Sequence, residues 1–358
     1  MLPLAGFNRP PWVTGCAASV GSGCALTGKR SGLPHALVRA PSPLSTQRES
    51  FAYPASYKTP TRGTCMSSRW TERRRQLRSV LCERHCVYPA SVFDPISARI
   101  AEDLGFEVGM FAGSVASMTV LGAPDLIVLT LSEFAEQSYR ICRAGGLPLL
   151  VDADHGYGNA LNVMRTVEEL ENAGVCALTI EDTELPRPFG PRRQARLLSM
   201  EEGVGKVRAA LEARRDSDLV IAGRTDVRAA PDFQDVINRA VAYERAGADA
   251  IFVVGIKTRD QLESLSNALR GPILLGGAAA ELVDREYLAE NRVRICLRGH
   301  QPFAAAVQAV HATLQALRQG VAPAQLAHLA GQGLMQQVTR DADYLRWIDD
   351  YLTTGPAR

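Results

Sequence analysis

The stretch that decides the fold runs from residue 149 to residue 182, LLVDADHGYGNALNVMRTVEELENAGVCALTIED. It opens on an apolar run, Leu149–Asp152, that is continuous rather than alternating. Such a run suits a strand covered on both faces, as in a parallel sheet. Residues 159–173 then put Val163, Val167 and Leu170 on one face at helical spacing. The phrase Asn172-Ala173-Gly174-Val175 stops that helix, because glycine readily adopts the left-handed backbone that ends one. A second apolar run, Ala177–Ile180, follows at once. One strand, one helix and one further parallel strand are written in this segment.

The same rhythm extends in both directions. Ala90–Phe93, Glu107–Ala112, Leu219–Ala222, Ala250–Val254, Pro272–Leu275 and Val293–Leu297 complete a set of eight candidate strands. Thr130 with Glu133, and Ser199 with Glu202, have the spacing of capping boxes. Gly145, Gly174 and Gly247 stand where helices should stop. Eight such units over roughly 230 residues predict an α/β fold, a closed (β/α)8 TIM-type barrel, in preference to an open doubly wound sheet. No GxGxxG follows a strand, which argues against dinucleotide binding. Beyond the barrel, helices are expected near residues 302–317 and 341–352, the second with Tyr344, Trp347, Ile348 and Tyr351 on a partly aromatic face.

Charge divides the chain. Residues 1–66 hold seven basic residues against one acid, Glu49, and eight of the twenty prolines. They show no helix or strand period and are expected to be disordered. They read either as an organelle-targeting segment or as an extension without function ahead of Met66. The remainder carries 33 basic and 37 acidic groups, so the chain's net charge of +2 comes from its head. Three segments are therefore expected: a disordered 1–66, a barrel over 67–318 and a C-terminal helical segment over 319–358. Nothing in this balance suggests a nucleic-acid partner, and no run of about 18 apolar residues suggests a membrane span. Arg73-Arg74-Arg75 with Arg78 reads as the solvated face of a first helix. The eight cysteines include no CxxC. Cys82 and Cys86, four apart on that helix, lack a second pair to complete a zinc site. Free thiols in a reducing, cytoplasmic setting are the expectation.

In a barrel of this kind the C-terminal strand ends form the active face. At the end of the third strand stand Asp152 and Asp154, two apart and so expected to point the same way. Crowded carboxylates repel unless a cation lies between them or one is protonated. The fourth strand ends in Glu181-Asp182, which adds carboxylates to the same rim. Hard oxygen ligands without cysteine suit magnesium, or manganese as the other ion of that class. The second strand ends in Gly113-Ser114, where small residues permit close approach of a ligand. Arg224, after the fifth strand, could clamp a substrate carboxylate or pair with Asp226 or a rim acid. His300, after the eighth, could touch substrate or move a proton. His155 is a weaker candidate for supporting the acidic loop.

Several of these phrases occur together in one known family. Ser91-Val92-Phe93-Asp94-Pro95, the Gly113-Ser114 turn, the Asp152–Asn159 phrase and Thr179-Ile180-Glu181-Asp182 resemble the isocitrate lyase/phosphoenolpyruvate mutase superfamily. Residues 160–167 and 201–206 are similar to its magnesium-dependent oxaloacetate decarboxylase branch. The resemblance spans about residues 70–352. It implies a homotetramer, a dimer of dimers with the last helices exchanged between partners. It implies Asp152 as the direct metal ligand, with Asp125, Asp154 and Glu181 holding the metal's waters. Gly113, Ser114, Arg224 and His300 become the contacts to a 2-keto dicarboxylate, with Arg224 and His300 as its catalytic residues. The implied reaction is decarboxylation of oxaloacetate to pyruvate and CO2 through a metal-stabilised enolate.

Lyases of the superfamily carry a Lys/Arg-Cys-Gly-His box in the loop after the Glu-Asp strand. Here that loop contains Pro186-Arg187-Pro188-Phe189-Gly190-Pro191 and no cysteine. After the seventh strand the branch usually presents polar residues, whereas this chain reads Gly276-Gly277-Ala278-Ala279-Ala280. A wider and less polar pocket is expected there. Alongside the decarboxylase stand a 2-methylisocitrate lyase-like or phosphonopyruvate mutase-like enzyme, and a non-catalytic barrel that binds a 2-keto acid.

Overall fold

The computed structural model describes residues 69–187, 189, 195–277 and 279–353. The expectations for residues 1–66, and for Pro188, residues 190–194 and Ala278, lie outside the described residues. Eight strands, β1 (Ala90–Ser91), β2 (Gly109–Phe111), β3 (Leu149–Asp152), β4 (Ala177–Glu181), β5 (Val220–Asp226), β6 (Ala250–Val254), β7 (Ile273–Leu275) and β8 (Val293–Cys296), pair in chain order. Every pairing is parallel. Val87, just ahead of β1, bridges to Ile295. Its N–H donates to the Arg294 carbonyl at 2.8 Å, and its carbonyl accepts from the Cys296 N–H at 3.0 Å. The last strand thus returns to the approach of the first, and the fold is a TIM-type (β/α)8 barrel.

The helices are α1 (Arg69–Cys82), α2 (Pro95–Asp103), α3 (Gly113–Ala116), α4 (Leu131–Cys142), α5 (Ala160–Asn172), α6 (Met200–Ala213), α7 (Phe233–Ala246), α8 (Arg259–Ala268), α9 (Arg285–Glu290), α10 (Gln301–Arg318), α11 (Gln332–Thr339) and α12 (Asp341–Leu352). The Thr130–Glu133 capping box is present in full at α4. At α6 only half of one forms: Ser199 accepts from the Glu202 N–H. Gly247 caps α7 at φ 105°. α3, continued by a π-helical turn over Ser117–Leu121, and α11 have no counterpart in the sequence reading.

Strand parity builds two layers of core. Met110, Leu150, Ala177, Val220, Ala222, Phe252 and Ile295 fill the barrel interior. Phe111, Val151, Leu178 and Ile221 face the helices and pack on Val163, Val167 and Leu170 of α5. A fully buried leucine is worth about 1.5–3 kcal/mol, so these layers account for much of the stability.

The reading of the first helix as a solvated arginine face is corrected. α1 lies across the N-terminal end of the barrel, with Leu77 fully buried in the interior cluster. Arg74 is 3% exposed. It donates to the Val175 and Glu171 carbonyls, at 3.0 and 2.6 Å, and to the Asp216 carboxylate at 2.7 Å. Arg78 reaches the Ser217, Asp218 and Leu219 carbonyls and Asp249. These groups precede β4, β5 and β6, so the arginines take up carbonyls that the strand starts leave open. α1 also ends at Cys82, so Cys86 stands beyond it rather than one turn along it.

Candidate active site

The pleat places the chemistry. Glu181 pairs in register with Arg224, and Arg224 with Phe252. Asp152 pairs with Thr179. Since alternate side chains share a face, these positions continue the inward rows begun by Leu150, Ala177 and Ala222. β5 runs four residues beyond the expected end, through Gly223-Arg224-Thr225-Asp226. Arg224 therefore stands on a rigid strand, not on a loop.

A cavity of about 440 Å³ opens at these C-terminal strand ends. Ser114, Asp125, Asp152, Asp154, Glu181, Arg224 and His300 all line it. Gly113 serves the site from behind. A Cβ there would lie 2.4 Å from Asp154 Oδ2, so only glycine lets that carboxylate take its place. Asp154 lies past the strand end at φ 48°, so it reaches the cavity through a turned backbone, not through the two-residue strand repeat expected for it. Tyr157, three residues on, and Ile127, two residues past Asp125, share this uncommon conformation at φ 60° and 58°.

Arg224 lies among the acids. It pairs with Asp152 through Nη1, and with Glu181 through Nη2 at 3.0 Å. Thr179 Oγ1 donates to Asp152 Oδ1 at 2.7 Å. The guanidinium carbon is 5.5 Å from the centre of the Phe252 ring. Of the acids considered for Arg224, the rim carboxylates are the ones it meets. Asp226 instead holds Arg228 through a two-toothed pair.

One guanidinium does not satisfy this many carboxylates. Burial, and then Asp152 and Glu181, push Asp154 well above the usual carboxylate range. Burial raises Glu181 to about 7, with Arg224 opposing the shift and Asp152 adding to it. Burial and Asp152 raise Asp125. Burial works against the charge on Arg224, but Asp152 and Glu181 more than offset it and hold the group fully ionised. His300 Nδ1 lies 2.9 Å from Ser91 Oγ, and burial lowers its pKa despite Asp152 and Asp125.

Two candidates fall away. Asp182 does not reach the rim. It is 1% exposed and accepts from Tyr243 Oη at 2.6 Å and Arg239 Nη1 at 3.1 Å, on the helix side of the sheet. Adjacent strand residues point to opposite faces, so Glu181 inward puts Asp182 outward. His155 is buried outside the cavity lining, with its pKa lowered to about 4 by burial and Lys206. Others were missed. Ser91 was legible only as part of a family phrase. Leu126, Ile127, Phe252 and Val254 form apolar wall, and Gly276 adds no side chain to it.

Among the described residues no three acid, imidazole or thiol groups close on one point as a complete cage. What is present is a ring of hard oxygens with excess negative charge, which suits an ion that keeps most of its waters and takes few direct protein ligands. Magnesium fits that description.

Comparison with known proteins places the chain. Residues 77–318 match the family model described as phosphoenolpyruvate phosphomutase. A protein from Rhodopseudomonas palustris (strain BisA53) named oxaloacetate decarboxylase is 58% identical over 271 residues, 76% of this chain and 93% of that one. Among solved structures, a phosphoenolpyruvate phosphomutase from Streptomyces platensis subsp. rosaceus superposes with a TM-score of 0.71 at 28% identity, over 78% of this chain and 99% of that one. A phosphonopyruvate hydrolase solved with oxalate and Mg++ gives 0.69 at 28% identity, with the same coverage. With the family model spanning the barrel and its acidic mouth, and a relative 58% identical over 93% of its length, the chain belongs to the phosphoenolpyruvate mutase/isocitrate lyase superfamily.

Proposed function

We propose that this chain is an oxaloacetate decarboxylase that works with magnesium, or manganese in its place. The observation that carries the reading is the mouth itself: Asp125, Asp152, Asp154 and Glu181 share one cavity, with Arg224 lodged among them. Asp152 would hold the ion directly, and Asp125, Asp154 and Glu181 through its waters. When bound, the ion supplies a Lewis acid beside the keto oxygen, where negative charge gathers as CO2 leaves.

The chain's own groups do the rest. Ser114 donates its hydroxyl to the anionic end of the substrate. Arg224 orients the diacid by exchanging one of its present carboxylate partners for a carboxylate of the substrate. His300 carries the proton that reaches the product carbon at Nε2, while Ser91 fixes Nδ1. Decarboxylation of a β-keto acid needs no base to open the carbon–carbon bond. The loop after β4 has no cysteine to serve as the acid/base of a lyase. The apolar wall excludes water from the breaking bond.

The assembly reading is a homotetramer with its last helices exchanged. α10 has no buried residue, and Val307, Val310, Leu314, Tyr344, Trp347 and Ile348 expose apolar surface. Light scattering on the purified chain checks the stoichiometry. No helix among the described residues is long and apolar enough to cross a membrane, and a cytoplasmic setting agrees with the buried thiols of Cys86, Cys142, Cys176 and Cys296.

The test follows oxaloacetate loss by absorbance with enzyme and magnesium, with enzyme and EDTA, and with magnesium alone. Loss well above the magnesium-only rate, abolished by EDTA, is expected. Loss no faster than with free magnesium would refute the reading. Turnover of 2-methylisocitrate or phosphonopyruvate in the same cuvette would replace it with lyase or mutase chemistry.

A further inference from the structure

A second concavity, of about 790 Å³, lies at the other end of the barrel. Its wall comes from the loop between α1 and β1, from one face of α9 and from the start of β8. Arg84, Arg285 and Arg294 line it, together with Glu286 and Glu290. Elsewhere in the molecule arginines that share a site with acids pair with them: Arg74 meets Asp216, Arg214 meets Asp249 and Arg239 meets Asp182. Here they do not. Among the described residues, neither Arg84, Arg285, Arg294 nor the adjacent Arg292 has a carboxylate within ion-pair distance, although two glutamates share the wall.

Two of the guanidinium groups are also held in place. Arg285 Nε and Nη2 both donate to the Cys86 carbonyl, at 2.9 and 2.7 Å, and the group lies 5.1 Å from the centre of the Tyr88 ring. Arg294 Nη1 donates to the Ala289 carbonyl at 2.9 Å. Each contact leaves other N–H groups of the fork unused. Fixed forks without an internal anion match a phosphate, whose tetrahedral oxygens accept from several guanidinium groups at once. Glu286 and Glu290 would repel a bare anion, but they can accept from hydroxyl groups carried beside it.

We infer that this groove binds a hydroxylated phosphate monoester, with the phosphate on Arg84, Arg285 and Arg294 and its hydroxyls turned to Glu286 and Glu290. The site lies at the strand starts, whereas the acidic mouth lies at the strand ends. The two are nevertheless joined by structure. The Cys86–Tyr88 segment leads into Ser91, and β8 leads to His300, so both members of the Ser91–His300 pair continue from strands that the groove touches. The inference stands whether or not the mouth decarboxylates oxaloacetate.

Calorimetric titration of the full chain tests it with four probes: ribose 5-phosphate, inorganic phosphate, ribose and glucose 6-phosphate. Saturable binding of the two sugar phosphates is expected, with phosphate weaker and ribose silent. Arg84→Gln, an exposed residue with no hydrogen-bond partner among the described residues, should weaken ribose 5-phosphate by about tenfold without moving the melting temperature. Arg224→Gln should leave that binding intact. The reverse pattern, with loss in Arg224→Gln and none in Arg84→Gln, would assign phosphate to the catalytic mouth and overturn the site. Absence of binding at millimolar ribose 5-phosphate would overturn it too. Equal affinity for phosphate and ribose 5-phosphate would overturn the role given to Glu286 and Glu290.

Discussion

The two ends of the barrel interior are built from the same residue types and reach opposite electrostatic outcomes. At the closed end, ahead of β4, β5 and β6, arginines and acids are matched. Asp216 accepts from Arg74, Thr71 and the Asp218 N–H. Asp249 takes Arg78, Arg214 and the Ile221 N–H. Burial opposes the Asp216 charge, yet Arg74 and Thr71 hold its pKa below the usual range. At the open end, burial and neighbouring acids push Asp154 and Glu181 above it. Saturated charge fixes a fold, while unbalanced charge keeps a place for a ligand. The difference lies in the ratio of acids to guanidinium groups and in how many hydrogen bonds each acid receives.

Substitutions at the two ends should therefore separate activity from stability. Asp152→Asn keeps the shape and a partner for Thr179 while removing the charge. It is expected to lower kcat by about a thousandfold, with unfolding free energy unchanged within about 1 kcal/mol. An active Asp152→Asn enzyme would end the distinction drawn for the mouth. Arg74→Met is the converse. It leaves two carbonyls without their donor and strips Asp216 of its guanidinium partner, and should cost about 3–5 kcal/mol in urea denaturation. The kcat of the folded fraction should stay at the level of the unsubstituted enzyme.

The two ends should also respond to pH with opposite sign. Glu181 binds its proton more tightly in the folded state, at about 7, than in the unfolded chain. Its contribution is thus fully present below the ordinary glutamate pKa and is lost as pH rises towards 7. Asp216, held low, contributes above its ordinary pKa and loses that contribution as pH falls. Thermal melts of metal-free protein should fall by a few degrees, roughly, between pH 4.5 and 7.5. Glu181→Gln should flatten that slope, and millimolar magnesium should recover the loss at pH 7.5. A slope unchanged in Glu181→Gln would place the titration elsewhere.

The sequence could be read where chemistry is local. The runs at 149–152 and 250–254 are strands because continuous apolar residues need cover on both faces, and both bounds agree with the structure. β5 is longer than its apolar run because Gly223–Asp226 is held by pairing to Ile180 and Glu181 on one side and to residues 251–254 on the other, and register between strands is not a local property. The seven lining residues named from sequence do share one cavity, since strand ends converge in a barrel. The outward turn of Asp182 could have been read from pleat parity. The contact between Gly113 and Asp154 could not, because it joins loops after different strands.

Arg73-Arg74-Arg75 shows most clearly what composition hides, and it yields the smallest expected effect. Arg74 and Arg75 are neighbours of equal charge, but a helix turns about 100° per residue and sends them to different surroundings. Arg74 enters the barrel floor. Arg75 stays 55% exposed and meets Asp218 at 2.9 Å and Glu72 at 3.9 Å. An exposed pair gains little, since water screens it and two long side chains must be held still. Arg75→Gln should therefore change unfolding free energy by less than about 0.5 kcal/mol, and that remnant should shrink in 0.5 M salt, which shortens the reach of surface charges to roughly a few ångströms. Should Arg75→Gln instead cost as much as Arg74→Met, the number of positive charges on α1, and not the enclosure of one of them, would be what closes the floor.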